Sequence, residues 1–110
     1  MINKTPIAFI AILSLLLSSC ATLKLTDGGE KIRILGADEI SSCRELGKTN
    51  TTITDQILGI KRPIEALEKE LQIMARNSAD NMGGDTIVPL TVVKQGKQIF
   101  IVYKCIDPDA

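Results

Sequence analysis

Histidine and tryptophan are absent from this 110-residue chain. Without histidine, the classical catalytic triads are excluded, and so are most zinc sites, which draw on imidazole. Aromatic residues are scarce as well. One Tyr and two Phe leave little area on which bases or sugar rings could stack. Neither sign of charge is in excess, with 13 basic residues against 13 acidic ones. The basic footprint of a nucleic-acid-binding protein is therefore missing. There is no C-x-x-C redox motif, no internal repeat and no low-complexity segment. The length allows one domain at most.

The long apolar run sits at the N-terminus. From Pro6 to Leu17 every residue but Ser14 is apolar, Lys4 stands just before, and Ser18-Ser19-Cys20 follows. A basic start, a short apolar stretch and small residues form a secretory signal. About 20 apolar residues are needed to span a bilayer, and this run is shorter. An uncleaved anchor or a buried core helix is the competing reading, but no polar period is superimposed on the run.

Leu17-Ser18-Ser19-Cys20 resembles the lipobox of bacterial lipoproteins. That resemblance implies a diacylglycerol thioether on Cys20, cleavage before it, and acylation of the new amine. Several acyl chains anchor durably where one binds only marginally. Ordinary secretion, with cleavage after Ala21, is the alternative. By the same resemblance, Ala21 after the cysteine favours the outer membrane over the inner one in a two-membrane host. The expected organisation is then a signal peptide over 1–19, a lipid-anchored tether over 20–30, a compact domain over 31–106 and a tail over 107–110. Removal of Lys4 leaves 12 basic against 13 acidic residues, a formal charge of −1.

With Cys20 lipidated, Cys43 and Cys105 remain. An even pair in an oxidising compartment argues for one disulfide. Metal ligation by two lone cysteines with no histidine partner is the poorer alternative.

Within the domain, Lys31–Leu35 alternates and reads as a strand stopped by Gly36. Ile40–Leu46 suggests a second strand broken at Gly47. Lys48–Ile53 reads either as its extension or as a loop, and Thr54–Arg62 as an irregular connection. The helix signal is the clearest. Pro63 suits a first-turn position. Ile64, Leu67, Leu71, Met74, Ala75, Ser78 and Met82 then recur at three- and four-residue steps as one apolar stripe. Glu65 with Lys69, and Arg76 with Asp80, are spaced to pair on the outer side. Gly83 is a natural end, since it accepts left-handed backbone. Thr86–Lys94 and Gln98–Cys105 read as hairpin arms about Gln95-Gly96-Lys97. In the second arm Ile99, Ile101, Tyr103 and Cys105 share one face, and Phe100, Val102 and Lys104 the other. Pro89 places its strand at an edge or a bulge. The fold class expected is α+β, one long amphipathic helix on a small, mainly antiparallel sheet, closed by one disulfide.

Catalytic groups are few. Glu65 and Glu68 are one turn apart but face water, and a catalytic acid pair needs desolvation to separate its pKa values. Met82-Gly83-Gly84-Asp85 follows a helix rather than opening one, so its amides do not sit at a positive dipole end. Met74 and Met82 could serve a soft metal, yet they belong to the stripe assigned to the core. No enzyme, cofactor, metal site or nucleic-acid partner is expected; a membrane, through the lipid, and an envelope protein are.

Cys43-Arg44-Glu45-Leu46-Gly47, Met82-Gly83-Gly84-Asp85-Thr86-Ile87-Val88 and Val102-Tyr103-Lys104-Cys105 occur in that order. With the lipobox, this set resembles small bacterial lipoproteins of unknown function related to the RcsF-type outer-membrane stress sensor. The resemblance implies a helix on a small sheet, a Cys43–Cys105 disulfide, and a binding, sensing or scaffolding role in the envelope. The chain departs from the sensor in having one possible disulfide rather than two, and a short tether. A small-molecule or metal-binding periplasmic module is the alternative, disfavoured by the lack of His and free Cys.

Overall fold

Strand β6, Lys97–Lys104, is the centre of the molecule. Successive side chains of a strand point to opposite faces, so it buries Gln98, Phe100 and Val102 on one face, with Phe100 and Val102 fully excluded from solvent. A computed structural model of the chain describes residues 23–106. Its remaining strands are β1 (Arg33–Ile34), β2 (Arg44–Thr52), β3 (Gln56–Ile57), β4 (Ile60–Lys61) and β5 (Thr86–Pro89). One α-helix, α1, spans Ile64–Asn81, and two short 3-10 turns cover Gly29–Lys31 and Ala37–Glu39.

The main sheet runs β1-β5-β6-β2, and β3-β4 form a separate small hairpin. Only β1 and β5 are parallel; β5–β6 and β6–β2 are antiparallel. The architecture is thus the expected one, a single long helix on a mainly antiparallel sheet, closed by a disulfide between Cys43 and Cys105.

Helix α1 starts where Pro63, at the N-cap rather than inside the first turn, sets extended backbone before Ile64. It ends in a Schellman motif: Gly83 takes φ 79°, its N–H reaches Asp80 O at 3.0 Å, and the Gly84 N–H reaches Ala79 O at 2.9 Å. The buried seam is Leu67, Leu71, Ala75 and Ala79, a strict four-residue row. The stripe expected from the sequence is correct at its centre and drifts at its ends, where Ile64 and Met82 are exposed and Ala79 takes the last core position. Short alanines bring the C-terminal half of the helix close to the sheet. Leu71, Ala75, Ala79, Ile32, Ile87, Phe100 and Val102 form the core.

The strand boundaries depart from expectation in several places. β1 keeps only two of the five residues read as strand. β2 begins at Arg44 and runs through Gly47 to Thr52, while residues 40–43 form a turn. Gly47 does not break it: the ladder with β6 shifts register between Glu45 and Gly47 and continues. Residues 54–62, expected to be irregular, contain the β3–β4 hairpin.

β5 ends at Pro89, short of the arm read to Lys94. The Leu90 N–H donates to Ile99 O at 2.9 Å, so alternation places Pro89 at a position with no bond to β6. Its missing N–H faces the side of β1, whose last bond to β5 is Leu35 N–H to Ile87 O. Proline therefore costs β5 no bond to β6, and the β1–β5 ladder ends where its N–H would come next.

Candidate functional site

Two ends of the molecule bring unusual residues together. At one end, Cys43 and Cys105 are joined with Cα atoms 4.1 Å apart. They flank the first pair of the β2–β6 ladder, Arg44 with Lys104, so the bond clips the two strands where the ladder opens. Asp85 lies beside them. Its carboxylate accepts the N–H groups of Cys105 at 2.8 Å and Ile106 at 2.7 Å, and the Thr86 hydroxyl at 2.9 Å. Burial pushes this carboxyl up, but the two backbone N–H groups, Thr86 and the charge of Lys104 outweigh it and hold the group below its ordinary value. Gly84 makes the approach possible: a β-carbon there would stand 2.5 Å from Val102 Cγ1. The Met82–Asp85 segment is therefore a device for ending the helix and securing the last strand. Asp85 in this role escapes sequence reading, because its partners are backbone amides twenty residues away.

Residues 24–31 are the second surprise. Read as a free tether up to Glu30, they are instead bound to α1 from Lys24 onward. Asn77 donates from Nδ2 to Lys24 O at 2.9 Å and accepts the Thr26 N–H at 2.9 Å. Arg76, expected to pair with Asp80, turns instead to the carbonyls of Glu30 (2.9 Å) and Ile32 (3.1 Å). Carbonyls ending a chain segment are fixed acceptors, whereas an exposed carboxylate on a helix surface offers little net gain. The domain thus extends back at least to Lys24, four residues after Cys20. Cys20 itself, the signal segment and the tail over 107–110 lie outside the described residues.

At the opposite end stands the β3–β4 hairpin. Ile57 pairs with Ile60, and the two residues between them, Leu58 (φ 52°) and Gly59 (φ 77°), are both left-handed, as a type I′ turn requires. Asn-Gly is the usual choice there; here a leucine occupies the strained first position and is 97% exposed. Ile57 and Ile60 are exposed beside it, as are Ile64 at the start of α1 and Val92 in the β5–β6 loop. Arg62 at the foot of the hairpin donates to Thr54 O at 2.9 Å and pairs with Glu70, the one ion pair among the described residues. An open cavity of about 280 Å³ lies against the foot, between Arg62, Leu67, Val93 and Gly96.

Glu65 and Glu68 are exposed, as expected. Met74 is half-buried, and Met82 is exposed, its Cε 3.1 Å from where a β-carbon of Gly47 would stand. Among the described residues no three carboxylates or cysteines gather in a metal-binding group, and no helix is long and apolar enough to cross a membrane. What the described surface offers is one pinned, disulfide-closed end and one apolar end.

No curated protein and no solved structure matches the chain. A family model does match, described as a domain of unknown function, DUF4156, over residues 23–105, nearly the whole of the ordered domain. The chain therefore belongs to the DUF4156 family.

Proposed function

We propose that the protein is a non-enzymatic lipoprotein of the cell envelope, held by acyl chains on Cys20 to the outer rather than the inner membrane. It works by binding, sensing or scaffolding, and its motifs resemble those of RcsF-related lipoproteins of unknown function. The observation that carries this reading is Leu17-Ser18-Ser19-Cys20 at the end of the apolar run. Two features of the fold support it. A disulfide suits an oxidising compartment such as the periplasm. The domain also extends back at least to Lys24, so four residues at about 3.5 Å each hold it within roughly 14 Å of the lipidated cysteine. Such a module acts at the membrane surface rather than reaching across the periplasm.

Metabolic labelling with a fatty acid, read by mass spectrometry of the purified protein, tests the reading. The wild type is expected to carry acyl chains on an N-terminal Cys20, and Cys20→Ala to remain an unprocessed, unlabelled precursor. A wild type free of acyl chains would refute it.

A further inference from the structure

We infer that the β3–β4 hairpin is a second membrane contact, inserting Ile57, Leu58 and Ile60 into the interfacial layer of the bilayer that carries the lipid anchor. The inference rests on the lipoprotein reading for the proximity of that bilayer.

The hairpin has the build of an insertion tip. Its apex leucine is 97% exposed in a left-handed conformation that Asn or Gly would adopt with less strain, so turn formation does not account for it. The isoleucines on both sides are exposed too, and together they make an apolar point in place of the polar turn a water-facing hairpin carries. Exposed Lys61 adjoins the point, and Lys94 and Lys97 flank the neighbouring turn about Gln95-Gly96, which abuts Asp55 at the foot of the hairpin. Lysine stems can lie along apolar surface while their ammonium groups stay among headgroups.

Placement relative to the anchor is the second observation. Arg62, at the foot of the hairpin, is held by Glu70; Lys24, where the chain arrives from Cys20, is held by Asn77. Glu70 and Asn77 are seven residues apart on α1, hence on the same side and about 10 Å from one another along its axis. The hairpin foot and the arriving chain thus share one flank of the helix. A bilayer receiving the acyl chains of Cys20 can lie along that flank and meet the hairpin. The cost of ordering the contact is low, because the acyl chains already confine the domain to the surface. The durable anchor and the weaker tip contact would then together fix the orientation of the domain on the membrane.

The chain has no tryptophan, so one introduced at the tip is an unambiguous reporter. The acylated Leu58→Trp protein is reconstituted in vesicles of phosphatidylethanolamine and phosphatidylglycerol, beside Ile106→Trp, an exposed position at the disulfide end. Emission from Leu58→Trp is expected to shift to the blue on reconstitution and to be quenched several-fold more by brominated acyl chains than that from Ile106→Trp. Ile60→Trp should behave as Leu58→Trp does. Equal quenching at the two ends, or tip emission unchanged from that in detergent-free buffer, overturns the inference. So does a blue shift that appears only when envelope proteins are added, which would assign the tip to a protein partner. The mass of the same preparation reports acylation independently. If it shows no acyl chain, the lipoprotein reading fails by itself, and flotation of Leu58→Trp with preformed vesicles, against Leu58→Asn, decides the tip: co-flotation reduced several-fold by Asn supports it, and equal flotation overturns it.

Discussion

Single polar side chains do much of the positioning in this protein, and they do it through backbone atoms. Asn77 and Arg76 hold the incoming chain by its carbonyls and one amide, and Asp85 holds the outgoing chain by two amides. Hydrogen bonds to a charged group are stronger than neutral ones, so Asp85 should dominate the acid response of the C-terminal strand. Its carboxyl is depressed in the folded state. The stability it contributes is therefore fully present above the unfolded carboxyl value and is lost as pH falls through the folded one. Asp85→Asn should lower the melting temperature at neutral pH and flatten its fall on acidification to about pH 3. Parallel melting curves for wild type and variant across that range would remove Asp85 from this role.

The helix shows how an element draws its meaning from its partner. Its stripe, read alone, is broad and runs from Ile64 to Met82; against the sheet it narrows to Leu67, Leu71, Ala75 and Ala79. The helix meets the sheet along this one four-residue ridge, leucines in its first half and alanines in its second, and Ile64 and Met82 are left outside it. Leu71 sits at the middle of this row with no exposure to solvent, in the same cluster as Phe100 and Val102. Leu71→Ala should cost about 2–5 kcal/mol, since a close-packed site collapses only partly around the cavity. Urea unfolding measures this, and a loss below roughly 0.5 kcal/mol would place Leu71 at a yielding surface instead.

At the scale of the whole molecule the disulfide and the topology work together. β1 and β2 are consecutive strands at opposite edges of the sheet, so the chain between them must pass both β5 and β6. Cys43, at the end of that passage, is fastened to Cys105 at the end of the last strand. The bond spans a sequence separation of 62 and encloses β2, the hairpin, α1, β5 and β6. In the chain-entropy account a loop of that length is worth about 4 kcal/mol at most, through restriction of the unfolded state. The β2–β6 ladder remains without it, so the Cys43→Ala, Cys105→Ala double variant should keep its helical circular dichroism. Its stability should fall by about 2–4 kcal/mol, a melting shift on the order of 10–20 °C for a domain this size. Titration of the unfolded, unreduced wild type should find no reactive thiol from this pair. Two would mean that the clip does not form.

Local pattern alone determined those features whose cause is local. Pro63, the apolar stripe and Gly83 delimit α1 because each acts on its own turn. The unbroken run of β-branched and aromatic residues over Ile99–Tyr103 marks β6 as a strand. The two cysteines left after Cys20 implied their own pairing. The proposed lipobox likewise rests on local pattern alone, over Leu17 to Cys20. Other features depend on contacts that sequence spacing does not encode. Gly47 reads as a break, yet a register shift against β6 carries β2 through it. Residues 24–30 look like a polar tether, yet Asn77 and Arg76, some fifty residues away, convert them into part of the domain. Pro89 looks like an edge marker, yet its strand lies inside the sheet; the edge is only local, at the point where β1 has stopped. Residues 56–61 look like an irregular link, yet they fold into a hairpin that carries its apolar residues at the tip. Each of these turns on which groups remain unpaired after distant segments meet. Backbone hydrogen bonds must all be satisfied, and their partners are settled by topology rather than by neighbouring residues.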